Sequence, residues 1–535
     1  MKMFSNVFWL MIAIFVTLTI NNANSANILC LMGTPSPSHH IWNKSIMRAL
    51  ADRGNNLTIL TVEIERSTKN MHFIHMENVY DAIYEYFSGD GNNDLTNKHV
   101  YKSITLLYRF YSFVGRQLIG TVGAKQLLDY PIDFKFDAIV HDFTQSQVLL
   151  GFVHRFGYPP LISVSPYGMP PYTYAIAQVP SFPSYTPHAI AAFTNQMGFY
   201  ERVRNWSYYF YDWVYRRFVY MTNENRKAKK LFGEQLPKLE SIESMTELVL
   251  VNIDFSFDYP QVLPPNVIPV GGLQTKRNET LDQSVDLFLN KSTKGAIYFS
   301  LGTILQTSEL GDKIQIFLEA IKRLKEYNFI WKLDVADHTS VPSNLLVKEW
   351  LPQNRILAHP NTKLFITHGG RLSVQESIWH GVCMLGIPFY LDQQQNMVKV
   401  ARYGIGEYLD FNTITTELLV ESIRNIIESP KYTERMKIRS ELFQYQPTHP
   451  LDRAIFWIEH TIHNRGTKHL SLTNFELNFF QIYMLDAIAL LSLISLVFLF
   501  TMKRHIYFGN KKEAEGITTS AVAVTDNVNK TEKIE

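Results

Sequence analysis

Short apolar runs of strand length, each followed by a stretch long enough for a helix, occur in two successive series along the chain, and this pattern constrains the fold most. The first series is NILCLMG (27–33), NLTILTV (56–62), FDAIVHD (136–142) and PLISVSP (160–166). From residue 295 a second begins with GAIYFSLG and continues through NFIWKLD, LVKEWLP, TKLFITHGG and GVCMLGIP. Runs apolar on both faces are buried on both faces, and helix-length spacers allow them to pair in parallel. At 535 residues the chain exceeds one ordinary core. The pattern therefore predicts an α/β protein of two doubly wound units. Four prolines in FDYPQVLPPNVIPVGG (257–272) resist helix and central strand alike. The join is accordingly expected at 258–272, between one half over 26–257 and another over 273–478 that ends in return helices.

The two ends read as addresses. Met1 and Lys2 precede an apolar stretch, 7–20, and then NNANSA, which predicts a signal peptide over 1–25. Residues 479–502 are long enough to cross ~30 Å of hydrocarbon as one helix. Lys503, Arg504 and His505 follow at once, so the positive-inside rule keeps the tail over 503–535 in the cytosol, as a solvated leash. The body then faces a lumen or the exterior, on a single-pass chain. The sequons at Asn56, Asn205, Asn278 and Asn290 suit that side. Two cysteines, Cys30 and Cys383, exclude a disulfide framework and read as buried thiols. A formal net charge of +2 excludes a general nucleic-acid binder.

The stretch THGGRLSVQESIWHGVCMLGIPFYLDQQQN (367–396) carries the chemistry. A buried strand ends at Gly369 and Gly370, which turn the backbone into a helix expected from about Arg371 to His380. Free N–H groups and the positive helix end then face the sheet's C-terminal edge, where an anion is held. Ser373 can add a hydroxyl, His368 an imidazole N–H, and Glu376, one turn beyond Ser373, can accept from paired ribose hydroxyls. Asp392 and Gln393 follow the next strand to the same edge, as do Ser300, Gly302 and Thr303 after GAIYF and Trp350 to Gln353 after LVKE. Four loops thus converge on one crevice.

The run WLPQNRILAHPNTKLFITHGGRLSVQESIWHGVCMLGIPFYLDQQQN (350–396) resembles the nucleotide-sugar signature of the UDP-glycosyltransferases almost end to end. The likeness extends to LVLVNIDFSFDYPQVLPPNVIPVGGL (248–273), GAIYFSLGT (295–303), MGFYERVRN (197–205) and the C-terminal anchor, in the style of the insect membrane-bound members. It implies a GT-B architecture: two Rossmann-like domains facing a cleft, the first for the acceptor and the second for the UDP-sugar. It implies further that Trp350 and Gln353 contact the uracil, that His368, Gly370 and Ser373 meet the diphosphate, and that Glu376 holds the ribose. Asp392 and Gln393 would meet the sugar hydroxyls. Where many relatives place Asn, this chain has Leu372, which keeps a backbone contact but not an amide one. Residence in the endoplasmic reticulum membrane also rests on the resemblance, since Lys533 lacks the partner lysine of a retrieval signal.

A base is expected from the first half. In GTPSPSHHIWNKSIMRALADRG, Trp42, Ile46, Ala49 and Leu50 form a helical stripe, Gly54 caps it, and His39 falls at the helix start. The helix N-terminus disfavours a protonated imidazole there and keeps it available as a base. Its 15-residue separation from Gly54 matches His39, rather than His40, to the family's catalytic position. Asp142 ends FDAIVHD at the same edge and can orient the imidazole, as in a Ser-His-Asp triad whose serine is replaced by the acceptor hydroxyl. The scheme inverts the anomeric carbon and needs no cofactor and no metal, and the sequence contains no Asp-x-Asp motif.

The acceptor is less legible. NWSYYFYDWVYRRFVYM (205–221) carries aromatics around a whole helix, implying burial on most sides or contact with lipid. Met169, Pro170, Phe182 and Pro183 are expected to line a pocket for a small lipophilic acceptor. A membrane lipid or steroid acceptor, and a binding relative without turnover, are the competing readings, and a homo-oligomer is compatible with both.

Overall fold

The computed structural model describes residues 25–89, 99–275, 279–302, 307–333, 342–471, 479–482 and 484–531. Residues 1–24 of the expected signal segment over 1–25, Thr303 and Asn278 lie outside them. The chain divides into two compact units, Met1–Leu472 and Thr473–Glu535.

The first unit holds two parallel sheets. The first sheet comprises β1 (Asn27–Met32), β2 (Asn56–Thr61), β3 (Met71–His75), β4 (Ala138–Asp142), β5 (Leu161–Ser165), β6 (Thr246–Val251) and β7 (Val267–Pro269), in the order β3-β2-β1-β4-β5-β6-β7. The second comprises β8 (Ala296–Ser300), β9 (Asn328–Lys332), β10 (Leu345–Lys348), β11 (Thr362–Thr367), β12 (Cys383–Gly386) and β13 (Gly406–Tyr408), in the order β10-β9-β8-β11-β12-β13. Every residue of β4, β5, β8 and β12 is buried, as expected of strands covered on both faces. In each sheet the order reverses once, between β1 and β4 and between β8 and β11. Loops leaving neighbouring strands at such a point go to opposite faces and open a crevice at the C-terminal edge.

Six helices build the site, brace it or carry the chain's exposed apolar faces: α1 (Pro37–Asp52), α2 (Phe199–Tyr215), α3 (Arg371–Trp379), α4 (Gln393–Tyr403), α5 (Pro450–His463) and α6 (Leu485–Thr531). Pro37 opens α1, where its missing N–H is no loss, and Gly54 follows its end at φ 91°, a conformation that favours glycine. Trp42, Ile46 and Leu50 bury its apolar face. Leu451, Ala454, Ile455 and Ile458 of α5 enter the same core, so the chain's second half returns to cover the first sheet. Burial of each such leucine or isoleucine is worth roughly 1.5–3 kcal/mol.

Two expectations change here. The 258–272 stretch is not all linker, because Val267–Pro269 pairs with Val249–Val251 as β7. Proline is tolerated there because β7 is an edge strand and Pro269 owes no hydrogen bond outward.

The second unit departs from a single span over 479–502. Phe479–Ile482 is one short turn, Met484 stands at φ 55°, and α6 begins at Leu485. Within Leu485–Val522 an 18-residue window reaches a mean hydropathy of 2.3, long and apolar enough to cross a membrane. The tail expected as a leash instead continues the helix to Thr531. Lys, Glu and Ala in KKEAEG favour helix, and extending a helix already nucleated costs far less than starting one.

Candidate active site

The turn from β1 into α1 places His39 in the helix's first turn, beside the end of the adjacent strand β4. Its Nδ1 lies 3.3 Å from Oδ2 of Asp142 and 3.2 Å from Oγ1 of Thr144. Asp142 is fully buried and accepts from Thr34 Oγ1, Asn43 Nδ2 and the Thr144 amide, each at 3.0 Å. Burial alone would push its carboxyl up, but the His39 and Thr144 hydrogen bonds outweigh that and hold it below the usual carboxylate range. Asp142 is thus an ionised, immobilised acceptor for one edge of the imidazole, which leaves Nε2 for chemistry. His40 turns away to Glu65, 2.9 Å from Nε2. His141 is buried and held down to about 4, first by its burial.

On the second sheet, β11 delivers His368, Gly369 and Gly370 to the N-terminus of α3, where no side chain caps the first N–H groups. A Cβ on Gly370 would come within 2.3 Å of His368 Nε2, so the close approach of loop and ring requires glycine. Burial, with Lys332 adding repulsion, holds the His368 imidazole down to about 4. It is therefore a neutral N–H donor rather than the cation that would itself absorb departing charge. Gln353 Nε2 donates to Ser373 Oγ at 3.1 Å and to Glu376 Oε2 at 2.8 Å, fixing three of the expected ligands against one another. Gln393 Oε1 accepts from the amides of Phe389 and Tyr390, leaving its Nε2 as donor. Asp392 is buried, which pushes its carboxyl up against the pull of Arg371, and it accepts from Asn396 at 2.7 Å.

One cleft collects nearly all of these residues. His39, Ser300, Gly302, Trp350, Gln353, His368, Gly370, Ser373, Glu376, Asp392 and Gln393 line it, and Asp142 stands behind His39. Trp350 is 60% exposed, a plate open to the cleft rather than a filler. Sequence reasoning missed Lys332, whose Nζ lies 5.1 Å from the Trp350 ring centroid and donates to the Gly302 carbonyl at 2.8 Å. It also missed Thr34, Asn43 and Thr144 around Asp142. Asn43 had a signal, for it stands one turn beyond His39 on α1.

Other expectations are corrected. On the first-sheet side the cleft is bounded by Ser36, Ser38, Ile41, Pro166 and Tyr167, not by Met169, Pro170, Phe182 or Pro183. The Asn205 sequon is inaccessible: Asn205 is fully buried, donates to the Pro183 and Thr186 carbonyls and accepts from the His188 amide. Asn56 and Asn290 are exposed.

Two parallel α/β sheets whose switch points meet in one cleft, with an uncapped helix N-terminus on one side and a His–Asp pair on the other, make the GT-B arrangement. Spinosyn forosaminyltransferase SpnP superposes with TM-score 0.54 at 13% identity, covering 82% of this chain and all of that one. A glycotransferase of kitacinnamycin superposes at 0.52 with 17% identity, covering 82% and 98%. The family described as UDP-glucoronosyl and UDP-glucosyl transferase matches residues 30–517, and the chain belongs to it. UDP-glucosyltransferase 2 of Dactylopius coccus is 30% identical over 94% of this chain and 98% of its own. UDP-glucuronosyltransferase 2B30 of Macaca fascicularis is 27% identical over 85% and 88%.

Proposed function

We propose that the protein transfers glucose from UDP-glucose, with inversion, to a hydroxyl of a small lipophilic acceptor, as in conjugation of foreign or waste compounds. The observation that carries this is the His39–Asp142 pair, set in the cleft that the donor-binding loops line. The half over 26–257 then receives the acceptor and that over 273–478 the donor.

His39 Nε2 takes the acceptor O–H proton while the oxygen bonds to the anomeric carbon from the face opposite UDP. The bond from that carbon to the diphosphate oxygen breaks, and its electron pair leaves with UDP. Asp142 stabilises the imidazolium so formed. The α3 N-terminus, the His368 N–H and Lys332 meet the diphosphate charge, so the step needs no metal and no cofactor. Trp350 and Gln353 take the uracil, Glu376 the ribose, Ser373 a phosphate oxygen, and Asp392 with Gln393 the hexose hydroxyls. Ser300 and Gly302 close the diphosphate side.

A neutral hexose suits the cleft better than a uronate. Among its described lining residues the basic side chains are Lys332, at the Trp350 end, and Arg371, which is bonded to both oxygens of Asp258. A sugar carboxylate near Asp392 would meet like charge. The name of the Dactylopius relative, a UDP-glucosyltransferase, points the same way. α6 anchors the chain in the endoplasmic reticulum membrane, with the body lumenal and the tail cytosolic.

The test is a donor screen on the membrane-bound protein with UDP-glucose, UDP-galactose and UDP-glucuronate against water-soluble phenols. UDP-glucose should give the highest kcat/KM, and a preference for UDP-glucuronate would overturn the donor assignment. Sealed microsomes treated with protease from outside should lose only the tail, and digestion of the body would reverse the orientation.

A further inference from the structure

Leu391 stands at φ 56° in the turn between β12 and α4. That is the left-handed region, where a Cβ crowds the backbone and where glycine, asparagine or aspartate is the usual occupant. A branched apolar side chain held there signals a demand on its position. The residues on either side impose the conformation. Gln393 Oε1 accepts from the amides of Phe389 and Tyr390 just before it. Asp392, just after it, accepts from Asn396 Nδ2, which also donates to the Gly369 carbonyl at 3.0 Å. Of the non-glycine residues with positive φ among the described residues, Leu391 is the one that lines the cleft.

Its side chain belongs to both halves. Leu391 follows a strand of the second sheet, yet it packs against the apolar cluster of the first half that contains Tyr111, Phe143 and Tyr172. A leucine that only joined the halves would gain most by being closed over completely. This one is only partly buried, and it lines the cleft. Tyr167, from the first half, comes to the same place. Burial, and then the nearby Asp392 charge, push its phenol well above the ordinary range. Its hydroxyl is buried with no hydrogen-bond partner among the described residues, a group that an occupant of the cleft would satisfy.

We infer that Leu391 is a specificity-determining residue for the acceptor: its side chain and the Tyr167 ring, one from each half, bound the acceptor's body beside the hexose, admitting one slender ring and turning away a ring with bulk on both flanks. The inference deepens the proposed transfer and rests on it for the acceptor's place. In that transfer the acceptor oxygen lies between His39 Nε2 and the anomeric carbon, and the hexose lies on Asp392 and Gln393. The rest of the acceptor then passes the neighbours of Asp392, which are Leu391 in sequence and Tyr167 in space. Ile41 and Pro166 continue the apolar lining from the first half. A side chain of the donor half thus reads the acceptor. The hydrogen bonds that pin this turn do not involve the Leu391 side chain, so changing it reshapes the space while Asp392 and Gln393 stay in place.

The test uses the full chain in lipid nanodiscs, wild type beside Leu391→Gly and Leu391→Phe. The acceptors are phenol and its meta-dimethyl and meta-di-tert-butyl derivatives, which share a length and differ in breadth. For each, kcat/KM is read at saturating UDP-glucose and Kd is read with UDP bound. Leu391→Gly should improve both quantities for the di-tert-butyl derivative, and worsen both for phenol, by about tenfold, as the loss or gain of a few methylene contacts in an apolar pocket does. Leu391→Phe should disfavour the dimethyl derivative relative to phenol by a similar factor. UDP affinity should be unchanged in both variants. Opposite signs across the series are the signature, because a residue that merely held the fold would weaken all three acceptors together. Parallel changes across the series overturn the inference, and so does a loss confined to UDP-glucose affinity. If the wild type transfers to none of the phenols, the proposed function fails and the Kd series still decides this inference. Absence of phenol binding to all three proteins overturns it.

Discussion

Arg371, the first residue of α3, donates through Nη1 to both carboxylate oxygens of Asp258 at 3.0 Å, across 113 positions of sequence. The same nitrogen reaches the Asn252 carbonyl at 3.2 Å, and Lys399 of α4 donates to Asp258 at 2.8 Å. The helix that presents its N-terminus to the cleft, and the helix that begins at Gln393, are thus moored to one buried carboxylate in the stretch between the sheets.

That mooring predicts a large stability effect. Asp258→Asn leaves Arg371 and Lys399 buried without their counter-charge, which should cost ~3–5 kcal/mol and lower Tm in thermal denaturation. Burial pushes the Asp258 carboxyl up, but Arg371 and Lys399 outweigh it and bring it from 3.8 to about 2. A depressed folded pKa stabilises fully above the unfolded value and is lost as pH falls toward the folded one. Its contribution should therefore be complete above pH 3.8 and disappear toward about pH 2, and Asp258→Asn should flatten that part of the stability profile.

Glu376 and Gln393 should separate nucleotide from sugar. Glu376→Ala should weaken UDP and UDP-glucose alike by ~1.5–3 kcal/mol, the worth of a charged hydrogen bond. Gln393→Glu keeps an oxygen to accept from the Phe389 and Tyr390 amides but loses the Nε2 donor. It should spare UDP and weaken UDP-glucose. Calorimetry with both ligands on both variants decides the matter, and equal losses on Gln393→Glu would remove that loop from the sugar site.

His368 should titrate near 4 in the folded protein, as followed by NMR of its ring protons. Lys332→Met should raise that midpoint only modestly, because burial is the larger cause and the lysine the smaller. The same variant should weaken UDP and reduce the salt dependence of its binding. An ordinary imidazole titration near 6.5 in the wild type would contradict the buried placement of the ring.

Much of this site was legible in the sequence because it hangs on local order. A strand, a Gly-Gly turn and a helix put His368, Ser373 and Glu376 at one edge whatever the rest of the chain does. His39 and Asp142 obey the same rule applied to β1 and β4. Lys332 was not legible, since its place beside Gly302 and Trp350 depends on β9 lying next to β8, and no local pattern states strand order. β7 was hidden by the prolines around it. The acceptor-side residues failed for a related reason: Met169 and Phe182 are apolar and come after a sheet edge, yet Pro166 and Tyr167, a few residues earlier, are the ones that reach the cleft. Asn205 shows the limit of a triplet motif, which says nothing about whether its amide is already bonded.

Asn205 accordingly gives a clean contrast with the other sequons. Asn56→Gln and Asn290→Gln should each remove one glycan-sized step of mobility on a denaturing gel of the protein made in a secretory host. Asn205→Gln should remove none, yet should lower Tm through loss of its bonds to Pro183, Thr186 and His188. A glycan found on Asn205 would mean that the segment around 183–188 is packed differently.

His39, oriented by Asp142, is assigned as the group that takes the acceptor's proton, and the most direct measurement of that role is turnover and UDP affinity of His39→Ala side by side. Transfer from UDP-glucose to a phenol should fall by ~10²–10⁴-fold, the usual worth of a general base, while UDP binds within about twofold of wild type because no donor-side residue has changed. A variant retaining more than about a tenth of wild-type turnover, with UDP affinity intact, would contradict the assignment of His39 as the base.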